Sequence, residues 1–128
     1  MTREDWLLKM TDELRPFFSS VSLAIPENVR VSCGWPSRGG TSMIKPILGE
    51  CWSFECSEGQ VTEIFMSPRY SDALLVAGTL VHELIHAAIG VDKKHGVEFR
   101  KAMKLVGLKG KPTATEADDQ LREHLKAL

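Results

Sequence analysis

One run constrains this chain more than any other. Between Ala73 and Gly90 it carries its most apolar stretch, and His82, Glu83 and His86 are embedded in it. The run is long enough to raise the question of a membrane span. A charged residue at that depth would cost about 2.5–3.5 kcal/mol on insertion scales, which argues for a buried helix of a non-membrane domain. Asp72 suits the helix dipole in a first turn capped by Ser71, and Gly90 supplies the stop, so a helix is predicted over 72–89.

On that helix, His82 and His86 are four residues apart and project from one face about one turn apart. Two imidazoles so placed can grip one metal ion. Glu83 lies about 100° round the axis from His82, out of the ligand position but within reach of a water on the metal. Two histidines with an adjacent carboxylate are the arrangement for zinc-activated attack by water. A shuffled chain of this composition, with four His and eleven Glu, would contain such a pattern only about once in a hundred cases, and its apolar helical setting sharpens it further. Leu80, Val81, Leu84, Ile85 and Ile89 bury the helix, while the small residues Thr79 and Gly90 leave room for substrate.

A catalytic zinc takes a third protein ligand and keeps its fourth position for water. His95 follows the polar turn Asp92-Lys93-Lys94, and Gly96 after it lets the chain turn back, which makes His95 the natural third ligand. Glu98 competes, because a His/His/Glu set is also catalytic, and Asp92 is a weaker competitor. His124 reads as a solvated helix residue. Tyr70, the sole tyrosine, precedes the helix and is a candidate oxyanion stabiliser, with packing as its ordinary alternative. Arg100 is a remoter candidate of the same kind. Trp6, Trp35 and Trp52 read as core or cleft-wall residues.

The remaining chain supplies a scaffold. Leu7, Leu8, Met10, Leu14, Phe17 and Phe18 recur at helical spacing, with Pro16 limiting or bending the end of that helix. Residues 28–33 alternate as a strand. Residues 49–56 and 61–66 form two further strand-like runs joined by a four-residue turn, as in an antiparallel hairpin. A helix is predicted from Gly96 to before Gly107. Another is predicted from Thr113 or Thr115, since Thr113 and Glu116 have capping-box spacing. The order is helix, strands, helices, which predicts an α+β domain. With 128 residues, one domain accounts for the whole length 1–128. The helical pattern is still running at Leu128, as expected of a domain cut from a longer polypeptide.

The net charge of −1 excludes a uniformly basic nucleic-acid coat, but residues 93–111 hold seven Lys or Arg against one acid. Lys101, Lys104, Lys109 and Lys111 are therefore candidate DNA contacts, against the plainer reading of a solvated face. Cys33, Cys51 and Cys56 are odd in number and lack a fourth metal-ligand partner, so they read as buried thiols of a reducing compartment. The first residues carry Glu4 and Asp5 and have no signal-peptide pattern, so the expected location is cytoplasmic rather than secreted.

The segment HELIHAAIGVDKKHGVEFRKAMKLVGL, residues 82–108, resembles the SprT-like (Spartan-type) metallopeptidases. The resemblance rests on the HELIH helix, the short reversal, the His95-Gly96-x-x-Phe99 element, and a strand running from Ile64 into Pro68. It extends over residues 49–110 and is closest to phage members, which fits a bacterial or phage-infected cytoplasm. It implies a zincin-like fold: a small, mostly antiparallel sheet packed on the active-site helix, with flanking helices and an edge strand that pairs with an extended protein substrate. It further implies one zinc ion per chain held by His82, His86 and His95, with Glu83 as general base of an endopeptidase, and an association with DNA. The cysteine zinc ribbon that many such proteins carry after the protease domain has no counterpart here. Two other functions remain open on the sequence: a non-catalytic zinc-containing module that associates with DNA or regulates, and hydrolysis of a non-peptide amide.

Overall fold

Helix α1 (Arg3–Ser20) opens the chain because Thr2 and Asp5 form a reciprocal capping box and because Leu7, Leu14 and Phe18 share one buried face. Pro16 lies inside it without ending it. The turn after α1 is tied back by Arg15, whose guanidinium donates to the carbonyls of Ile25 and Pro26 at 3.0 Å each. This computed structural model describes residues 2–33, 49–52, 61–67 and 72–128. Ser71, Tyr70, Trp35 and Cys56 lie outside the described residues, as does the turn between the second and third strands.

Three strands follow: β1 (Val29–Cys33), β2 (Gly49–Trp52) and β3 (Thr62–Met66). The sheet order is β1-β3-β2. β2 and β3 pair antiparallel, with Cys51 opposite Ile64, as the hairpin spacing predicts. β1 pairs parallel to β3, with Val31 opposite Ile64. The sheet is therefore mixed, and β2 forms one of its edges. Ile64 and Met66 of the central strand enter the core beside Val31.

β3 leads to α2 (Ala73–Ile89), which carries much of the core: Leu80, Val81, Leu84 and Ile85 are wholly buried. The N-cap is Asp72, one residue later than predicted, and its carboxylate accepts from the Leu75 backbone N–H at 2.9 Å. Gly90 ends the helix at φ 106°. After a short 3₁₀ turn (Val91–Lys93), α3 (Val97–Val106) packs Phe99, Ala102, Met103 and Val106 inward.

The predicted helix from Thr113 or Thr115 is not formed. In its place stands an antiparallel hairpin, β4 (Leu108–Lys111) and β5 (Ala114–Ala117), and only then α4 (Asp119–Lys126). The local chemistry explains the difference. Gly107 closes α3 in the left-handed region and Gly110 adopts φ 91°; both conformations penalise a β-carbon. Pro112 starts the reversal between the strands. The capping role falls to Asp118, which accepts from the Leu121 N–H at 2.8 Å and leaves Thr113 as a turn residue. The fold is thus α+β, with four α-helices, a three-stranded sheet and a separate two-stranded hairpin among the described residues.

Candidate metal centre

Helix periodicity brings His82 and His86 to one face of α2, as the spacing predicts. The reversal after α2 then delivers His95. That reversal is made by Gly90 and by Lys94, at φ 51°, whereas Gly96 is extended and serves as the N-cap of α3. A non-glycine residue in positive-φ backbone stores strain, here immediately before the third histidine. Gly96 still has its use, since a β-carbon there would stand 3.2 Å from the Lys93 carbonyl oxygen.

The three rings converge through their Nε2 atoms. His95 Nε2 lies 3.2 Å from His86 Nε2 and 3.4 Å from His82 Nε2. One candidate ligand atom from each histidine lies within 4.8 Å of the others. Zinc–nitrogen bonds of about 2.0–2.1 Å in a tetrahedron set ligand nitrogens about 3.3–3.4 Å apart, so the observed contacts match tetrahedral edges. Neutral imidazoles explain the cluster poorly by themselves. One N–H at His95 Nε2 can point at only one neighbour, which leaves lone pairs facing each other on the other side. A cation at the centre removes that conflict.

Phe99 is wholly buried beneath all three rings, with centroid separations of 4.9 Å to His82, 4.6 Å to His86 and 4.9 Å to His95. Phe99, the aromatic of the His95-Gly96-x-x-Phe99 element, thus fixes the planes of the three imidazoles by packing.

Electrostatics favour donors rather than cations. Burial, with His86 and His95 adding repulsion, pushes His82 down to about 3. Burial and then His95 push His86 down to about 4. Burial also lowers His95. All three rings are therefore neutral near pH 7, as metal ligation requires. Glu83 is buried, and desolvation followed by the charge of Glu50 raises it to about 8. Carboxyls with such raised values gather at functional sites.

These groups line one cleft of about 430 Å³. One wall is Gly49 and Glu50 of edge strand β2, and the other is Thr113, Ala114 and Thr115 of the hairpin. Gly49 crosses closely over the carboxylate. A β-carbon at position 49 would stand 3.0 Å from Glu83 Cγ, 3.1 Å from Thr79 Cγ2 and 3.2 Å from Glu83 Oε2. Thr115 Oγ1 lies 2.7 Å from His82 Nδ1. Neither Gly49 nor Thr115 stands out in the sequence, because both reach the site through tertiary packing.

Several other candidates lie elsewhere. Glu98 and Asp92 are exposed and stand outside the histidine group. Arg100 is exposed on α3, as are Lys101 and Lys104; Lys109 and Lys111 are exposed on β4. Lys109 reaches Glu116 at 3.7 Å. Cys33 and Cys51 are half-buried free thiols, and burial and Glu83 push the Cys51 thiol far up, which makes it inert. His124 is not a solvated residue: its ring packs on Phe17 at a centroid distance of 4.5 Å. Trp6 packs against the core as expected.

The family model for SprT-like proteins matches residues 14–119. The chain belongs to the SprT-like family. The match takes in α1 from Leu14, both sheets and all three histidines, well beyond the segment around the HELIH helix. No curated protein and no solved structure matches significantly. Membership of the SprT-like family and the histidine triad are together compatible with a zinc-dependent protease. No described helix is long and apolar enough to cross a membrane.

Proposed function

We propose that this SprT-like chain is a zinc-dependent endopeptidase with a zincin-like active site. The observation that carries the reading is the convergence of three neutral imidazoles beside a buried carboxyl in one open cleft. His82, His86 and His95 would hold the ion. When bound, zinc supplies Lewis acidity and lowers the pKa of a water towards about 7.

Every other role belongs to the chain. Glu83 accepts the proton of the attacking water and passes it to the leaving amine. Without a neighbouring cation its carboxyl is held protonated by burial and by Glu50; a dication opposes both causes and frees the base. Apolar α2 excludes water behind the site. An extended peptide is accommodated by adding to the outer edge of β2, opposite the β3 side. A purely structural zinc module is disfavoured by Glu83, since a buried carboxyl is costly and a closed site makes no use of it.

Glu83→Gln is the deciding test. The amide is nearly isosteric but cannot take the proton. It should retain stoichiometric zinc and lose about 10²–10⁴ in hydrolysis of an unfolded protein substrate. Unchanged hydrolysis would remove Glu83 from the mechanism.

A second reading concerns DNA. Exposed Lys101, Lys104, Lys109 and Lys111 on α3 and β4 are proposed to contact phosphates weakly, bringing DNA-bound proteins to the cleft by proximity. Each contact should contribute a slope of about −0.9 in log affinity against log salt on duplex DNA. Reversing all four to Glu and titrating labelled duplex at low salt should abolish that binding; an unaltered titration curve identifies a solvated face.

A further inference from the structure

We propose that Thr115 is a positioning residue for His82, so that the β4–β5 hairpin holds the ring in place and supports the tautomer in which His82 can ligate metal. The inference rests on the metal reading above and extends it to an element that reading does not use.

The hairpin delivers the hydroxyl by simple alternation. Along β5, Ala114 and Glu116 are exposed, while Thr115 and Ala117 are half-buried on the side facing α2. Thr115 is paired with Gly110, which has no side chain. The base of the hairpin is clamped where the Asp118 N–H donates to the Gly107 carbonyl at 2.8 Å and where Leu108 is buried. The hydroxyl therefore arrives at His82 on a fixed support.

A neutral imidazole carries one N–H. Thr115 Oγ1 lies 2.7 Å from His82 Nδ1; with the hydrogen on Nδ1 the hydroxyl accepts it, and the Nε2 lone pair is left facing His95 Nε2 at 3.4 Å. The opposite tautomer would place a hydrogen inside the cluster and block the ligand position. Histidine ligands are generally oriented through their second nitrogen in this way. The neighbouring ligand offers an internal contrast. His86 Nδ1 is buried and has no hydrogen-bond partner among the described residues. Of the two ligands on α2, His82 is the one whose Nδ1 is held by another element.

The test compares Thr115→Val, which keeps the β-branched shape and removes the acceptor, with Thr115→Ser, which keeps the acceptor. Zinc affinity is read by competition with a chromogenic chelator, and the fold is checked by circular dichroism. Thr115→Val should bind zinc about 10–100-fold more weakly, the usual loss for an outer partner of a ligand, and Thr115→Ser should restore most of it. Long-range ¹H–¹⁵N spectra of the metal-free wild type should show His82 protonated at Nδ1. Wild-type affinity in Thr115→Val overturns the inference and leaves the metal reading standing, and so does a wild-type His82 protonated at Nε2. A wild type that binds no zinc overturns the metal reading and the inference with it.

Discussion

Two elements that meet at the histidine cleft, helix α2 and the β4–β5 hairpin, are built by opposite means. Helix α2 is held by burial: Leu80, Val81, Leu84 and Ile85 have no exposed surface, and the histidines ride on a rod already fixed by the core. The β4–β5 hairpin buries little beyond Leu108. It is held by backbone chemistry, through the positive φ of Gly107 and Gly110 and the cap at Asp118. The difference teaches a division of labour. Two of the three converging histidines come from the most apolar element, and the hydroxyl in contact with one of them comes from an element that buries far less apolar surface.

The strongest way to break this comparison is to cut into α2. Leu84→Ala should cost about 2–5 kcal/mol, the range for a fully buried leucine, and zinc binding should fail only where the fold does. Gly107→Ala should cost less, about 1–2 kcal/mol for a β-carbon in left-handed backbone. The added methyl would stand 2.9 Å from Asp118 Oδ1, so this change should weaken zinc binding while the domain stays folded. Denaturant melts paired with zinc titrations separate the two. Equal losses of stability would show that the hairpin is as integral to the fold as the helix.

A graded effect sharpens the picture with pH. Metal-free, the folded chain keeps His82 near 3 and His86 near 4 against an ordinary 6.5, and Glu83 near 8 against an ordinary 4.5. As pH falls below 6.5 the unfolded chain takes up protons that the folded histidines refuse, so stability drops. As pH rises from 4.5 towards 8 the unfolded chain releases a proton that folded Glu83 retains, so stability drops again. Between these limits two histidines outweigh one carboxyl, which places the metal-free optimum from these groups near 6.5. Melting temperatures should decline on both sides, and zinc should flatten the alkaline limb by favouring the carboxylate. A metal-free melting temperature that climbs steadily from pH 6.5 to 8 would contradict the burial of Glu83 as a protonated acid.

The helix and the hairpin also differ in how far they are legible in the sequence. α2 is legible because an apolar run, an acidic residue placed in the first turn and a terminal glycine all point the same way, and HELIH gives two histidines their shared face, although the cap falls to Asp72 rather than Ser71. α3 followed from the same signals. The hairpin was not legible because Thr113 and Glu116 mimic a capping box, while the residues that decide the matter, Gly107, Gly110 and Asp118, act through φ and a later cap. The parallel pairing of β1 with β3 is a non-local register that no local pattern encodes. His124 misled for the same reason, since its partner Phe17 comes from the other end of the chain.

The close crossing of Gly49 over Glu83 carries a consequence for how this sequence can change. A side chain at position 49 would meet those of residues 79 and 83 at once, and both would have to give way by a few tenths of an ångström. A larger residue at 49 would press on the Glu83 carboxylate, so side-chain variation along this cleft is sterically easier at Glu50 or on the opposing turn. The bare α-carbon at the start of an edge strand thereby sets how closely strand and helix can approach at the floor of the cleft.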